Sequence, residues 1–386
     1  MSLLLRSACV TAVSLALISC SKSEAPGASS GEVTVKIGAS NPLKGPQAHL
    51  GKDNENGTRL AIDDANAQGL TIGGHKVHFE LLTEDDGADP KTGTIVAQKF
   101  ADMKVNGVIG HLNSGTTIPA SRIYAEAGIP QISPSATNPK YTHQGFKTAF
   151  RVMTNDIQQG SEVGKYAGSK LGVKTVAIID DASQYGQGLA GQFEEAAKAA
   201  GITVVAHEHT DDKATDFQAI LTNVKAKTPD LIYYGGMDAQ SGPMMKQVRT
   251  LGITSKFMTG DGGCTLEFLH NAGAASEGAY CSLPGRPLAE MPKGADFKQR
   301  FNAKYGDIQT YAPYCYDAVM VMVDAMKRAD STDPAKYLTA LSKTDYDGVT
   351  SHISFDENGD LKGGLISVYQ AHDGKWVPLD TLGAKP

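Results

Sequence analysis

The chain has 386 residues, 41% of them apolar and 20% charged, which is the composition of a folded protein with room for two domains of about 100–200 residues each. Its 36 Lys and Arg against 42 Asp and Glu give a net charge of −6. A protein that binds nucleic acid through its phosphates needs a positively charged surface, so this composition excludes nucleic-acid partners.

The first 20 residues differ in character from the rest of the chain. Arg6 precedes an apolar stretch that is too short to span a membrane and that ends in Leu17-Ile18-Ser19-Cys20. We expect residues 1–19 to be a cleavable signal peptide, and the last four residues resemble the lipobox of bacterial lipoproteins, in which the cysteine, here Cys20, is lipidated. An ordinary signal peptide cleaved nearby is the alternative. Residues 20–32 are rich in Ser, Gly, Ala and Pro, which predicts a flexible tether.

Export changes the interpretation of the cysteines. Cys264, Cys281 and Cys315 remain after the leader, and outside the cytoplasm Cys264 and Cys281 could form a disulfide across a short loop. The third cysteine then stays unpaired. No CxxC spacing occurs, so the cysteines do not indicate a zinc site.

From residue 33 onward, short β-branched runs alternate with amphipathic helices, which predicts an α/β fold with parallel sheets. In the first series the predicted strands are 35–40, 77–85, 105–110 and 130–133, and the predicted helices are 57–67, 90–102 and 117–127.

A second, similar series begins near residue 154. Its predicted strands are 174–180, 203–209, 231–235 and 256–260, and its predicted helices are 188–200, 217–227 and 242–251. Helices at 311–329 and 334–342 and strands at 353–356 and 365–370 follow. This remainder is too long for a tail and too short for a third domain, so we expect the chain to return and complete both lobes.

Two sequence patterns suggest a cofactor or a metal site but do not meet the requirements of either, and two common enzyme motifs are absent. Gly186, Gly188 and Gly191 fit GxGxxG, but five residues separate the motif from its strand, which disfavours a nucleotide cofactor. His207 and His209 lie on one face of a strand, but the sequence shows no third metal ligand. Neither GxSxG nor HExxH occurs, which disfavours an enzyme. We therefore expect no catalytic residue, no cofactor and no metal.

Hydroxyl side chains follow two predicted strands of the first domain. Ser114 lies near the N-terminus of the predicted helix 117–127, and the segment Ser135-Ala136-Thr137 leaves the next strand. Loops at the carboxyl ends of adjacent parallel strands share one crevice, and hydroxyls with free N–H groups there suit a carboxylate. Plain helix capping by Ser and Thr is the alternative.

The second domain places a carboxylate and large side chains at its own strand ends. Asp261 lies among glycines and could pair with a cation, while Tyr185, Tyr234 and Met237 could supply apolar walls. The alternatives are a turn residue for Asp261 and core packing for the others. Together the two domains describe a site for a carboxylate, an ammonium group and an apolar side chain, which is an amino acid.

The sequence from about Val33 to Val377 resembles the periplasmic branched-chain amino-acid-binding proteins, the substrate-binding components of ABC importers. The stretches that carry the resemblance are Asp63-Asp-Ala-Asn66, Glu84-Asp-Asp-Gly-Ala-Asp-Pro-Lys91, Val108-Ile-Gly-His-Leu112, Ser133-Pro-Ser-Ala-Thr137, Gln184-Tyr-Gly-Gln-Gly188, Asp230-Leu-Ile-Tyr-Tyr-Gly-Gly236 and Phe355-Asp-Glu-Asn-Gly-Asp-Leu-Lys362.

The resemblance implies a type I periplasmic binding protein fold, with two Rossmann-like lobes joined by three crossovers. The expected lobes are 33–153 plus 285–350 and 154–284 plus 351–386. Ser114 and the Ser135–Thr137 segment would hold the ligand carboxylate. Ser135, Thr137 and Asp261 would take the ammonium group, and Tyr185 would close over the ligand.

The side-chain pocket departs from the family. Leu50 and Met237 stand where relatives often have an aromatic residue, and Asp261 stands where several have glutamate. These changes leave the choice among small apolar ligands open, because one methylene in an apolar pocket is worth only about 1–3 kcal/mol.

The resemblance further implies hinge closure around an aliphatic or small neutral L-amino acid, delivery to an ABC permease in the inner membrane, and a monomer in the periplasm or cell envelope, lipid-anchored to a membrane. The alternatives are a sensing receptor lobe for an amide, aromatic acid or other small carboxylate, and an exported α/β enzyme.

Overall fold

The computed structural model describes residues 31–383. In it, the alternating strands and helices form two large sheets and a small third sheet of two strands. The signal peptide, Cys20 and most of the tether lie outside residues 31–383. The strands are β1 (Val33–Asn41), β2 (Thr71–Ile72), β3 (His75–Asp85), β4 (Gly107–Gly110), β5 (Gln131–Ser133), β6 (Ala149–Arg151), β7 (Thr175–Asp180), β8 (Thr203–His209), β9 (Leu231–Gly235), β10 (Lys256–Thr259), β11 (Tyr280–Pro284), β12 (Asp345–Asp347), β13 (His352–Ser354), β14 (Ile366–His372) and β15 (Lys375–Leu382).

Eleven α-helices of the described range connect and cover the sheets. They are α1 (Ala48–Ala67), α2 (Pro90–Asp102), α3 (Ser114–Ala127), α4 (Asp156–Ser169), α5 (Gln184–Ala199), α6 (Gln218–Ala226), α7 (Asp238–Thr250), α8 (Leu266–Ala272), α9 (Gly294–Tyr305), α10 (Ala312–Arg328) and α11 (Pro334–Ser342). Over residues 31–383, none of them combines the length and apolar character that a membrane crossing requires.

The first lobe contains six strands in the order β2-β3-β1-β4-β5-β6. All neighbours are parallel except the short β2, which pairs antiparallel with β3. Because parallel strands need a helical connection, the helices α1, α2 and α3 alternate with them, and the carboxyl ends of β4 and β5 lie side by side.

The second lobe contains seven strands in the order β15-β14-β11-β10-β9-β7-β8. Strands β7 to β11 pair in parallel, and β14 and β15 extend the sheet in antiparallel fashion. Strand β8 forms one edge of this sheet. The predicted α/β class with a parallel sheet in each lobe is therefore confirmed.

The helix predictions were accurate where an apolar stripe marks the helix, as in α2 and α11, whose predicted bounds match the structure. Helix α1 begins nine residues earlier than expected, because Asp53, Asn54 and Glu55 on its first turns are polar in sequence yet buried in the structure. Helices α4 and α9 and strands β6, β11 and β15 were not predicted, since their short or polar segments show no clear period.

The chain passes between the sheets three times, after β6, after β11 and before β14. The expected third passage at residue 351 is too early. Strand β13 pairs with β12, and Phe355 packs against Phe150 of β6 at 5.0 Å between ring centroids. Residues 352–360 therefore lie on the first lobe, which moves the passage to about residue 361, and the other lobe boundaries remain a proposal.

A buried ion pair joins the two chain segments that enter the first and third passages between the lobes. Arg151, at the end of β6 and fully buried, donates from Nε and Nη2 to Asp360 Oδ1 at 3.0 and 2.7 Å. The same carboxylate accepts from Thr142 and Asn155. Burial raises the pKa of Asp360, but the Arg151 charge and these hydrogen bonds outweigh it, so the pKa lies below its ordinary value. Each charge is therefore satisfied inside the protein.

Replacing Arg151 with alanine is expected to lower the free energy of unfolding by about 3–5 kcal/mol, because Asp360 is left buried without its counter-charge. Urea denaturation at neutral pH measures this change. The matched control is Arg122→Ala, which breaks an exposed pair with Glu126 and should cost less than about 1 kcal/mol. Equal effects of the two substitutions would contradict the structural role of Arg151.

Candidate functional site

Two loops of the first lobe bring hydroxyl groups together at the carboxyl ends of adjacent strands. Ser114 begins α3 directly after β4, and the Ser135–Thr137 segment follows β5. Ser114 Oγ accepts a hydrogen bond from the Asn138 N–H at 3.2 Å, so the two loops are in contact. Ser114 and Thr137 are buried, and the first N–H groups of a helix have no intrahelical acceptor. The two loops therefore form a buried cradle suited to an anion.

Side chains of the first lobe hold the second loop of this cradle. Arg151 Nη1 donates to the carbonyl oxygens of Ala136 and Asn138 at 2.6 and 3.1 Å. Ser133 Oγ accepts from the Ala136 N–H at 2.9 Å. These bonds occupy the outer side of the loop, while Thr137 Oγ1 is buried without a partner among residues 31–383.

Asp261 reaches the site from the second lobe, where it follows β10. Its carboxylate accepts hydrogen bonds from the hydroxyls of Tyr185 at 2.9 Å and Tyr311 at 2.7 Å. Burial raises the pKa of Asp261, and the two tyrosine hydrogen bonds offset only part of that effect. Tyr185 OH in turn accepts from the Gly262 N–H at 2.9 Å, which orients it toward the carboxylate.

Tyr311 is a site residue that the sequence did not indicate. It belongs to the first lobe, next to the start of α10, far along the chain from the other site residues. The buried Asp53 on α1 accepts from the backbone N–H groups of Tyr311 and Ala312 at 2.8 and 2.9 Å. This fixes the segment so that the Tyr311 hydroxyl reaches Asp261, a contact that only the tertiary fold creates.

Asp156 is the second residue that sequence reasoning missed, because an acid at the first turn of a helix is commonplace. Its N–H donates to the Thr137 carbonyl at 2.9 Å, which places it beside the cradle. Both of its carboxylate oxygens are buried without a hydrogen-bond partner in the described part of the chain. Burial raises the pKa of Asp156 to about 8 against the opposing effect of the nearby Thr137 hydroxyl, and the charge of Asp261 adds to the rise.

Two buried carboxylates therefore face one site without a permanent cation. Neither Asp156 nor Asp261 forms a salt bridge within residues 31–383, and Arg151, which partly stabilises the charge of Asp156, is already bonded to Asp360. A buried carboxylate is costly unless it is protonated or paired. The arrangement thus suits a cationic group that enters from solution.

Apolar side chains surround these polar groups. Leu50, Tyr185 and Met237 are buried in one hydrophobic cluster. The structure does not bring Tyr234 to this group. The Tyr234 side chain lies in a separate hydrophobic cluster on the opposite face of the sheet from Tyr233, because neighbouring residues of a strand point to opposite faces. Tyr233 faces the side of the site, where burial raises the pKa of its hydroxyl and the charges of Asp156 and Asp261 add to the rise.

The two lobes are in direct contact around the site. His49 of the first lobe donates to Asp238 of the second at 2.7 Å, and Asn138 Nδ2 donates to the Gln184 carbonyl at 2.6 Å. Gly188 lies at the same contact, where a Cβ atom would sit 2.9 Å from Asp156 Oδ2 and against the Asn138 amide. The GxGxxG glycines therefore lie inside α5, and at Gly188 the missing side chain permits close approach of the lobes.

Cys264 and Cys281 are joined in a disulfide, with Cα atoms 5.3 Å apart. Cys281 lies on β11, and the Cys264 N–H donates to the Asp261 carbonyl at 3.1 Å. The disulfide thus links the Asp261 turn to the neighbouring strand. Cys315 is buried and unpaired within residues 31–383.

Two α/β lobes that close over a buried site with anion-binding hydroxyls and unpaired carboxylates define a two-lobed solute-binding protein. The family model for the periplasmic binding protein matches residues 34–375. The chain belongs to the periplasmic binding protein family, which confirms the family resemblance.

Similar proteins agree with this assignment. The chain is 34% identical to the leucine-, isoleucine-, valine-, threonine-, and alanine-binding protein of Pseudomonas aeruginosa, over 88% of this chain and 90% of that protein. It is similar to the crystal structure of a leucine-binding protein from Thermotoga maritima, with a TM-score of 0.84 and 28% identity over 90% of this chain and 98% of the other. The Streptococcus pneumoniae branched-chain amino acid transporter substrate-binding protein, solved with isoleucine, matches with a TM-score of 0.81 and 30% identity over 92% and 100%.

Proposed function

We propose that this protein binds an aliphatic or small neutral L-amino acid between its lobes and delivers it to the permease of an ABC importer. The observation that carries the proposal is the pair of buried carboxylates, Asp156 and Asp261, which have no salt-bridge partner in the described chain and lie beside the hydroxyl cradle. An α-amino acid supplies an ammonium group for these carboxylates and a carboxylate for the hydroxyl cradle.

The two ends of the ligand have distinct binding groups in this proposal. Ser114 Oγ and the N–H groups at the start of α3 bind the carboxylate, where the helix dipole favours an anion. Thr137 Oγ1, Asp156 and Asp261 accept from the three N–H donors of the ammonium group. The carboxylate of Asp261 does so in addition to its hydrogen bonds from Tyr185 and Tyr311.

The ligand side chain meets apolar residues in this proposal. Leu50 and Met237 are both buried, and neither can hydrogen-bond strongly to a polar side chain. This favours an aliphatic or small neutral ligand over an acidic or basic one. Relatives that are named for binding leucine, isoleucine and valine, or were solved with isoleucine, also support an aliphatic or small neutral ligand.

Family membership implies a periplasmic or envelope location. We further propose that Cys20 carries a lipid anchor, that the protein acts as a monomer without cofactor, and that it does not alter its ligand chemically. Metabolic labelling with a fatty acid, compared between the natural chain and Cys20→Ala, tests the anchor.

A thermal-shift screen of the 20 L-amino acids on refolded, ligand-free protein tests the binding proposal. A ligand at 100 times its Kd adds about 2.7 kcal/mol of apparent stability. We expect small aliphatic L-amino acids to raise the melting temperature and their D-enantiomers to have little effect. A response only to amides or aromatic acids would instead support a sensing receptor, and turnover of the ligand would support an enzyme.

Asp261→Ala is expected to weaken ligand binding at least about 30-fold, because removing one partner of a buried charged pair costs about 2–5 kcal/mol. Isothermal titration measures the affinity. Tyr234→Phe is the control, since the Tyr234 hydroxyl lies in a separate cluster and should leave the affinity unchanged. Unchanged affinity in Asp261→Ala would remove Asp261 from the ammonium site.

Ligand affinity is expected to rise with pH between 6 and 8. The free protein holds Asp156 with a pKa of about 8, so below that pH the carboxyl group must lose a proton before it can pair with the ammonium group. The expected rise is up to about tenfold per pH unit. Titrations at pH 6, 7 and 8 measure it, and Asp156→Asn should flatten the profile. A flat profile in the natural protein would contradict this role of Asp156.

Gly188→Ala is expected to weaken ligand binding about tenfold, because the added methyl group would meet Asn138 of the opposite lobe, and Asp156 beside it, and so oppose closure. Gly191→Ala on the same helix is a matched control, since its Cβ has no neighbour within 4 Å. Both substitutions change helix propensity alike, so only the first should alter affinity in titrations. Equal affinities would show that closure does not depend on this contact.

A further inference from the structure

A cluster of metal-ligating side chains lies at the edge of the second sheet, apart from the interlobe site. His207 and His209 lie on the edge strand β8, two residues apart and so on one face. Asp180 ends the adjacent strand β7, and its backbone pairs with His209. The sequence showed the two histidines without a third ligand, and this expectation is wrong because strand pairing brings Asp180 between them.

The three side chains converge on a single atom. Asp180 Oδ2 lies 2.9 Å from His207 Nε2 and 2.8 Å from His209 Nδ1. The three potential ligand atoms all lie within 4.8 Å of one another. Tetrahedral zinc, with bonds of about 2.0–2.1 Å, needs ligand atoms roughly 3.3 Å apart, so an outward movement of about half an ångström would admit the ion.

Two of the three potential metal ligands, His207 and Asp180, are each oriented by a further hydrogen bond. His207 Nδ1 lies 2.7 Å from Glu194 Oε2 on α5, so that Nε2 is directed at the cluster. Asp180 Oδ1 accepts from the Ala182 N–H at 2.8 Å, which leaves Oδ2 for the cluster. A carboxylate behind a metal-binding histidine is the usual arrangement at zinc sites, where it fixes the ring and raises its basicity.

The burial of the cluster also suits a bound ion. Asp180 is buried, whereas the side chain of His209 is 58% exposed. The exposed ring offers a path from solution, and solvent can occupy the coordination position that three protein ligands leave open.

We propose that Asp180, His207 and His209 bind one divalent transition-metal ion, of which Zn²⁺ fits the two imidazoles and one carboxylate best. On binding, each imidazole nitrogen that faces Asp180 forms a bond to the metal and releases any proton it carries to the buffer. The ion then replaces the hydrogen bonds that hold the cluster together without metal. No electron transfer is involved.

Isothermal titration of the untagged, metal-free protein with ZnCl2 tests the proposal. We expect one bound ion per chain, with the affinity reduced at least about 100-fold in His207→Ala and in His209→Ala, since each loses a ligand. Glu194→Gln should reduce it by about 10–100-fold, the range found for partners behind metal-binding histidines. Titration with Co²⁺ should give visible absorption bands that vanish in the same variants.

The controls separate this site from other histidines. His372 lies in an exposed group with Glu277 and Asp373, so His372→Ala should leave the affinity unchanged if the ion is held by Asp180 and its partners. Circular dichroism and amino-acid titration on each variant show whether it is folded. Absence of stoichiometric binding, or loss of binding in His372→Ala but not in folded His207→Ala, would overturn the proposal.

Discussion

The buried contact between Arg151 and Asp360 supports much of the rest of the structure. It joins the first passage between the lobes to the segment just before the third, and Arg151 also donates to the Ala136 and Asn138 carbonyls that shape the anion cradle. Each buried charge has several partners, and these hydrogen bonds help to offset the cost of removing the two charges from water. The same guanidinium therefore holds both a segment that passes between the lobes and the loop that follows β5.

Other buried carboxylates show what a structural role requires in this protein. Asp53 accepts four backbone N–H groups around the start of α10, and Asp317 accepts from the Val349 and Thr350 segment. Asp156 has no such partners, and Asp261 has only neutral tyrosine donors. The contrast separates carboxylates that accept several backbone N–H groups and hold the fold from carboxylates that have no such backbone donors. It also explains why burial raises the pKa of Asp156 so far, since an unpaired charge in this position is avoided by protonation.

Much of the fold was predictable because the strands and helices of parallel α/β sheets have recognisable hydrophobic patterns in the sequence. Buried strands such as β9 are continuous apolar runs, and helices such as α2 carry an apolar stripe with a capping Asp89 at their start. The segments that were not predicted lack such a hydrophobic pattern. Helix α4 is rich in glycine and polar residues because it packs closely on α5 and borders the site, and β6 has only three residues.

For the site, sequence alone determined the groups that lie at strand ends, namely Ser114, Ser135–Thr137, Tyr185 and Asp261, because the carboxyl ends of parallel strands meet in one crevice. The resemblance also indicated a two-lobed periplasmic binding protein, which the family model confirms. Only the tertiary structure decided that Tyr311 and Asp156 join the site, that Tyr234 does not, and that Asp180 completes the cluster of His207 and His209. The physical reason is that these contacts depend on side-chain direction, strand pairing and the meeting of lobes, which residues distant in the chain establish only after folding.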